Sequence, residues 1–442
     1  MTVCKKWKLF FALTVVFLLL TGCNVSTVED LYAVPKRSQE FTNLQSVMEK
    51  AMSDLEYSSP QSGEHQQTLQ MADLDGDGKD EYLLFAKGNA EKPLKILIFS
   101  GAGKSYKLLD TIESNGSAFD QVEYIRMNDR PGYELVVGCQ VSDQVLRNVS
   151  VYTMVGGQME SVLTDNYSKF LCTDLDSDLL SEVFLLKPDS SNADSGVAML
   201  YSFKDGTVER SQEVGMSRPA DKIRRIMVGK LNGGETAVFV ASDVSESAII
   251  TDVYAVVNNQ LTNVSLSNES GTSVQTLRNY YVYADDIDND GVLELPSLIT
   301  MKKPGENAAS ADQYIIRWYA MTVDGAEVDK MYTYHNFVGG WYLELNRDLA
   351  SRFTVTQKGS SYEFSLWDEA FVTAERFMNV YVLTGQKREE QAVTDNRFVL
   401  HRGESTIYAA NLEVASAAYG MDKAGLINSF HLIVQDWKSG ET

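Results

Sequence analysis

The chain has 442 residues, with 39 Lys and Arg against 61 Asp and Glu, 4 His, 4 Cys and 8 Pro. A formal charge of −22 excludes a basic nucleic-acid binder, and four scattered Cys exclude a disulfide-stapled miniprotein or a Cys-rich metal centre. At 44% hydrophobic and 23% charged residues the composition is globular, and the length suffices for two or three cores.

Residues 1–22 have the pattern of a removable leader. Lys5, Lys6 and Lys8 precede an apolar run from Leu9 to Leu20, which is shorter than the roughly 20 residues a stable membrane span requires. The run ends in Leu20-Thr21-Gly22-Cys23, which resembles a bacterial lipobox. That resemblance implies cleavage before Cys23 and a lipid anchor there, diacylglyceryl on its thiol, with palmitate as a further acyl chain. Removal of three Lys and no acid takes the formal charge from −22 to −25, so acyl chains rather than a basic patch hold the mature chain at a membrane. The expected location is extracytoplasmic, on the bacterial cell surface.

Residues 24–40 are polar and aperiodic, as in a tether. Phe41, Leu44, Met48, Met52 and Leu55 then recur at helical spacing, so 23–60 reads as an anchored tether with a short amphipathic helix. From residue 65 onward, short runs of Val, Ile, Leu, Tyr and Phe alternate with Gly, Asn, Asp and Ser, an all-β signature. Cys139 and Cys172 adjoin such runs and are expected as buried free thiols rather than a bridge.

Within this stretch a motif repeats. Asp73-Leu74-Asp75-Gly76-Asp77-Gly78-Lys79-Asp80-Glu81 runs into Tyr82–Phe85, Asp174 to Glu182 runs into Val183–Leu186, and Asp286 to Glu294 runs into Leu295. Worn copies lie between them, from Arg126 to Glu134 and from Lys230 to Glu235. Starts at 73, 126, 174, 230 and 286 are separated by 53, 48, 56 and 56 residues. About fifty residues make one four-stranded antiparallel sheet with its turns, and units of that size arrayed radially form a β-propeller.

The repeated Asp-x-Asp-Gly-Asp-Gly-x-x-Glu before an apolar strand resembles the VCBS/FG-GAP repeats of integrin-α-like propellers. The resemblance covers about 65–335 and implies blades with calcium loops; it implies no particular ligand. The expected fold is therefore all-β dominated, with a propeller of about five recognisable blades over 61–335.

The loop chemistry agrees. Carboxylates at positions 1, 3, 5 and 9 curl oxygens around one point, and calcium takes six to eight oxygens at about 2.3–2.6 Å. The proposed ligands are Asp73, Asp75, Asp77 and Glu81; Asp174, Asp176, Asp178 and Glu182; and Asp286, Asp288, Asp290 and Glu294. Without a cation, like charges about 4 Å apart repel by roughly 4 kcal/mol at an effective dielectric of 20. Magnesium prefers a water-rich octahedral shell, and zinc lacks His or Cys here. Leu179 replaces Gly at position 6 of the second loop, where positive φ is resisted by a side chain. In the worn loops, Arg126, Arg130 and Lys230 sit where a fixed cation would stand in for the metal by pairing with a retained acid, with chance placement of basic residues in a surface turn as the alternative.

From about 336 the repeat fades. Strands are expected at 364–366, 377–383, 398–401 and 407–412, with a tight turn at Arg402-Gly403-Glu404. Leu426, Ile427, Phe430, Ile433, Val434 and Trp437 share one face of a helix. Residues 336–442 thus read as a small α+β domain, with two further degenerate blades, seven in all, as the alternative.

No catalytic constellation emerges. Ser100 to Ser105 imitates a phosphate loop but has Ile98 where the motif needs its first Gly, and a hairpin turn explains it. His65, His335, His401 and His431 are isolated. The expected function is a non-catalytic, surface-tethered binding protein for a glycan, peptide or protein partner. An envelope scaffold and an extracellular polysaccharide hydrolase or lyase are the alternatives.

Overall fold

The computed structural model describes residues 39–102, 105–141, 147–204, 206–279, 282–302 and 313–433. The leader, Cys23 and most of the tether lie outside the described residues, as does Trp437. Among the described residues no helix is long and apolar enough to cross a membrane.

The protein is mostly β, in six antiparallel sheets that follow one another along the chain. The first contains Leu69–Ala72, Glu81–Lys87, Leu94–Ala102 and Ser105–Ser114, with Glu56–Tyr57 added beside Glu81–Lys87. The second runs Ala118–Ile125, Glu134–Gln140, Arg147–Val155 and Gln158–Tyr167. The third runs Lys169–Thr173, Glu182–Pro188, Gly196–Lys204 and Thr207–Arg210, and the fourth Ile223–Lys230, Thr236–Ser245, Ala248–Val257 and Gln260–Asn263. Glu294–Thr300, Tyr314–Met321, Glu327–Asn336 and Trp341–Leu345 make the fifth. Phe353–Lys358, Ser361–Trp367, Ala374–Thr384, Thr406–Leu412 and Phe398–Arg402 make the sixth. Ala102 pairs with Ser105, so the imitation phosphate loop is a hairpin end.

The second strand of most sheets is a continuous apolar run because both its faces are buried. Leu83 and Phe85 pack with Phe119, Leu135 and Val137 of the second sheet. Val136, on the other face, packs with Val183 and Leu185 of the third. Phe184 and Leu186 meet Val238 and Val240, and Phe239 meets Leu295 and Tyr319. Finally Tyr334 and Trp341 join Phe353, Phe364 and Phe377 of the sixth sheet. These five cores thus lie between consecutive sheets.

The ends of the array have their own covers. The outward face of the first sheet, with Leu84, Leu97 and Phe99, is buried under Leu44 and Met48 of the helix Gln39–Ala51. Leu383, Ile407 and Ala409 of the sixth sheet pack with Ala392, next to the short helix Arg388–Gln391. Among the described residues no core cluster contains side chains of both the first and sixth sheets, so these faces do not show the ring closure that a propeller implies.

One irregularity recurs at the same register. Pairing slips by one residue between the two strands that follow the one carrying the loop Glu, in line with the residue after that Glu. The extra residue is Leu109 in the first sheet, Val162 in the second and Lys330 in the fifth. A bulge in line with Tyr82, Leu135 and Leu295 in turn supports the repeat independently of the Asp motif.

Beyond the fifth loop the structure departs from the α+β expectation. The boundary placed at 335/336 falls inside the strand Glu327–Asn336, and one core spans it. The four strands expected over 364–412 are present, all in the sixth sheet, and Gly403 N–H donates to the Thr406 carbonyl at the expected turn. The helix is shorter than its apolar periodicity indicates. Asp422 caps Lys423–Ser429, and Phe430–Leu432 then pairs as a strand with Trp341–Leu343. Stacking of Phe430 on Trp341, centroids 5.6 Å apart, takes over the apolar side chain that periodicity assigned to a helical face. Cys139 and Cys172 are free thiols, as expected.

His335 is buried beside Phe337 and stacks on Tyr342 at 4.9 Å. Burial pushes its imidazole down to about 3 from the ordinary 6.5. At this residue the folded chain therefore binds fewer protons than the unfolded one between those values, so the contribution of His335 to stability is full above about pH 6.5 and is lost as the pH drops toward 3, by about 1.4 kcal/mol per unit. Between about pH 6 and 4 the stability-against-pH slope from urea unfolding should be one proton lower in His335→Phe than in the unaltered chain, in which the raised Glu182 and Glu294 oppose it; equal slopes in the two proteins refute the assignment.

Candidate metal centres

All five loops occupy one structural position, the connection into the second strand of a sheet. The one before Glu294 is entered through a bridge between Asp285 and Glu294 instead of a full first strand. Position 2 is an apolar plug each time: Leu74, Met127, Leu175, Leu231 and Ile287 are all buried.

Position 9 holds the frame. Glu81, Glu134, Glu182 and Glu294 are buried, and each accepts a hydrogen bond from the position-2 N–H, at 3.0, 2.9, 2.7 and 3.1 Å. A nine-residue loop is thereby tied across its neck through a carboxylate, whose desolvation the N–H partly offsets.

The aspartates wind the loop between these points. Asp73 accepts from Gly76 and Gly78 N–H, Asp174 from Asp178 and Leu179, and Asp286 from Asp290 and Gly291. Position 3 accepts from the N–H of position 5, and position 5 from that of position 7. The winding requires left-handed backbone at positions 4 and 6: Gly76 and Gly78 at φ 76° and 82°, Ser177 and Leu179 at 66° and 72°, Asn289 and Gly291 at 59° and 86°. Leu179 adopts this conformation with its side chain 85% exposed, so the loop imposes the strain that the sequence flags.

The carboxylates converge in threes. Oxygens of Asp73, Asp75 and Glu81 lie within 4.8 Å of one another, as do those of Asp174, Asp176 and Glu182, and those of Asp286, Asp288 and Asp290. The fourth expected ligand of each loop lies outside its triad. Asp77 is engaged by Lys79, and Asp178 by Leu180 N–H. In the third loop Asp290 joins the triad, although Lys330 Nζ donates to its Oδ2 at 2.6 Å.

Charge accumulates accordingly. Burial, reinforced by Asp176, Asp178 and Asp174, pushes Glu182 up to about 7. Burial with Asp288 and Asp290 does the same for Glu294. Glu81 and Asp176 shift upward for the same reasons, whereas Lys79 lowers Asp77 and Lys330 lowers Asp290. Glu294 Oε1 is buried and has no hydrogen-bond partner. An all-oxygen donor set, with excess negative charge and an unmatched buried carboxylate oxygen, fits a hard divalent cation.

The worn loops do not use the substitution expected of them. Glu134 receives the Asn128 side-chain amide at 2.5 Å along with the Met127 N–H, while Arg130 reaches Thr153 at 3.2 Å. The neutral amide at position 3, not an arginine, meets the acid. Lys230 donates to Thr236 Oγ1, and its turn is closed by Leu231 N–H on the Glu235 carbonyl. The sequence also missed Lys330, which lies forty residues from its partner and reaches it only through the fold of the fifth sheet.

No protein-family model matches the chain, and no curated protein matches it. Among solved structures it is similar to an exotype rhamnogalacturonan lyase, YesX, at 11% identity and a TM-score of 0.31, covering 73% of this chain and 65% of that one. It is similar also to the Bacillus licheniformis rhamnogalacturonan lyase PL11, at 11% identity and 0.25, covering 73% and 62%. A protein from Lactobacillus plantarum follows at 10% and 0.22, covering 72% and 85%. The chain spans less than two thirds of the length of the two lyases.

Removing the acid at the neck of a loop without an aspartate triad separates framework from metal. Glu134→Ala leaves the Met127 N–H and the Asn128 amide without their acceptor, and should cost about 2–4 kcal/mol in urea unfolding. The loss should be equal in calcium and in EGTA; a calcium-dependent loss contradicts a purely structural role.

Proposed function

We propose that this chain is a non-catalytic, calcium-binding surface lipoprotein whose stacked sheets are blades of the FG-GAP/VCBS kind, and that it binds a glycan, peptide or protein partner outside the cytoplasm. The observation that supports the calcium assignment is that three carboxylates of the loop converge at the same sheet junction in each of three loops, through positions 1, 3 and 9 in two and 1, 3 and 5 in the third. Asp73, Asp75 and Glu81 would hold the first ion, Asp174, Asp176 and Glu182 the second, and Asp286, Asp288 and Asp290 the third, with Glu294 Oε1 as a further donor. Calcium is favoured because every donor is oxygen and the shell is built from a flexible loop. Such ions pin the entry to each second strand and perform no chemistry. The capped end faces favour an open array of blades over a closed ring.

Thermal unfolding of the full-length chain in detergent tests this. With a dissociation constant of about 0.1 mM per site, about 2 mM calcium adds roughly 1.8 kcal/mol at each. Three sites then raise the midpoint by on the order of 5–10 °C relative to EGTA. Asp75→Ala, Asp176→Ala and Asp288→Ala together should abolish the rise; no rise in the unaltered chain means plain acidic turns. Turnover of a polysaccharide by the same preparation overturns the non-catalytic assignment.

The anchor has its own test. Expressed in a bacterium fed labelled palmitate, the chain should take up label and fractionate with membranes, and Cys23→Ser should lose both. Unlabelled, membrane-free material from the unaltered chain refutes the anchor.

A further inference from the structure

At the recurrent bulge the first two sheets place Leu109 and Val162, whereas the fifth places Lys330. A bulge residue has no opposite partner in the ladder, and its side chain is re-aimed. Lys330 uses that freedom to set Nζ 2.6 Å from Asp290 Oδ2, with its side chain only 19% exposed. Asp290 is also a member of the third triad. The first loop offers a contrast: Lys79 lies 3.2 Å from Asp77 but is 74% exposed and comes from the loop itself, so solvent and motion release it readily. In the second loop, among the described residues, no lysine makes an ion pair with Asp178.

Glu294 supplies a second, independent observation. Its side chain is fully buried, Oε2 takes the Ile287 N–H, and Oε1 has no partner. The third loop thus holds a tethered cation on one of its acids and an unmatched carboxylate oxygen on another. Lys330 cannot satisfy the whole cluster, because one ammonium bound to Asp290 leaves the Glu294 oxygen bare.

We propose that Lys330 is a built-in competitor for the third loop: its ammonium occupies Asp290 when the loop is free of metal, and a divalent cation must displace it to gather Asp286, Asp288, Asp290 and Glu294 Oε1. This rests on the calcium assignment of the preceding section. The third site is consequently the weakest of the three, and Lys330 sets its affinity. A site of this kind fills only at higher calcium, after the first two have closed.

Calcium binding to the full-length chain in detergent, measured by equilibrium dialysis with radioactive calcium, tests the assignment. The unaltered chain should show two tighter sites and one weaker. Lys330→Met, which keeps most of the stem and removes the charge, should tighten the weak site by on the order of tenfold, as expected for loss of a partly buried competing charge. Adding Asp288→Ala to that variant should delete the tightened site. Lys330→Arg should leave the weak site weak, and Lys330→Gln repeats the test if the Met variant does not fold. Three sites whose affinities Lys330→Met and Lys330→Gln leave unchanged overturn the competitor role while the calcium assignment stands. No binding to the unaltered chain or to any variant overturns both.

Discussion

One hydrogen bond recurs at the root of this architecture: a buried glutamate accepting the backbone N–H seven residues before it. It closes the neck of the loop in four sheets, while the neighbouring position-2 side chain plugs the core beneath. With the neck fixed, the remaining residues have little choice of path. Their aspartates satisfy the loop's own N–H groups, and this same winding crowds the carboxylates together. The second loop achieves it even with Ser177 and Leu179 in left-handed conformation, so framework dominates local preference there. The second repeat keeps its neck without aspartates at positions 1, 3 and 5, so the glutamate tie does not depend on the carboxylate cluster.

The second constraint is two-sided burial. Each inner sheet must match an apolar face before it and another behind it, and alternation along a strand such as Val183 to Leu186 sends successive side chains to different cores. Polar ties supplement these contacts where the chain leaves a sheet. Asp252, fully buried, accepts from Ser217 N–H and Oγ, Asn263 and Ser273, and so holds the segments flanking the fourth sheet.

Much of this was legible in the sequence because it is local. The Asp loops, the strands that follow them and the first helix each depend on residues within a dozen positions. Four of the sixth sheet's five strands were visible one by one, while Phe353–Lys358 and the sheet as a whole were not, since its repeat lacks the loop that marked the others. The last helix failed where a periodic apolar run met Trp341, ninety residues away, and the edge of the fifth sheet took Phe430–Leu432 instead. Lys330 was invisible for the same reason: a bulge depends on register, and composition does not show register. The cationic replacement expected at Arg126 and Arg130 failed because Asn128, two residues nearer the neck, reaches Glu134 first.

The covered end faces have a consequence for how the molecule comes apart. Among the described residues the shared cores join each sheet to its neighbours, as in a stack of bricks mortared face to face, so a break at one joint yields two pieces that each retain their remaining joints. Each piece then carries one raw face of the kind that the helix Gln39–Ala51 conceals on the first sheet. Those two raw faces complement each other within a chain and equally between chains. A molecule split at one joint is therefore primed to exchange halves with another split copy, and a high local concentration favours the exchange.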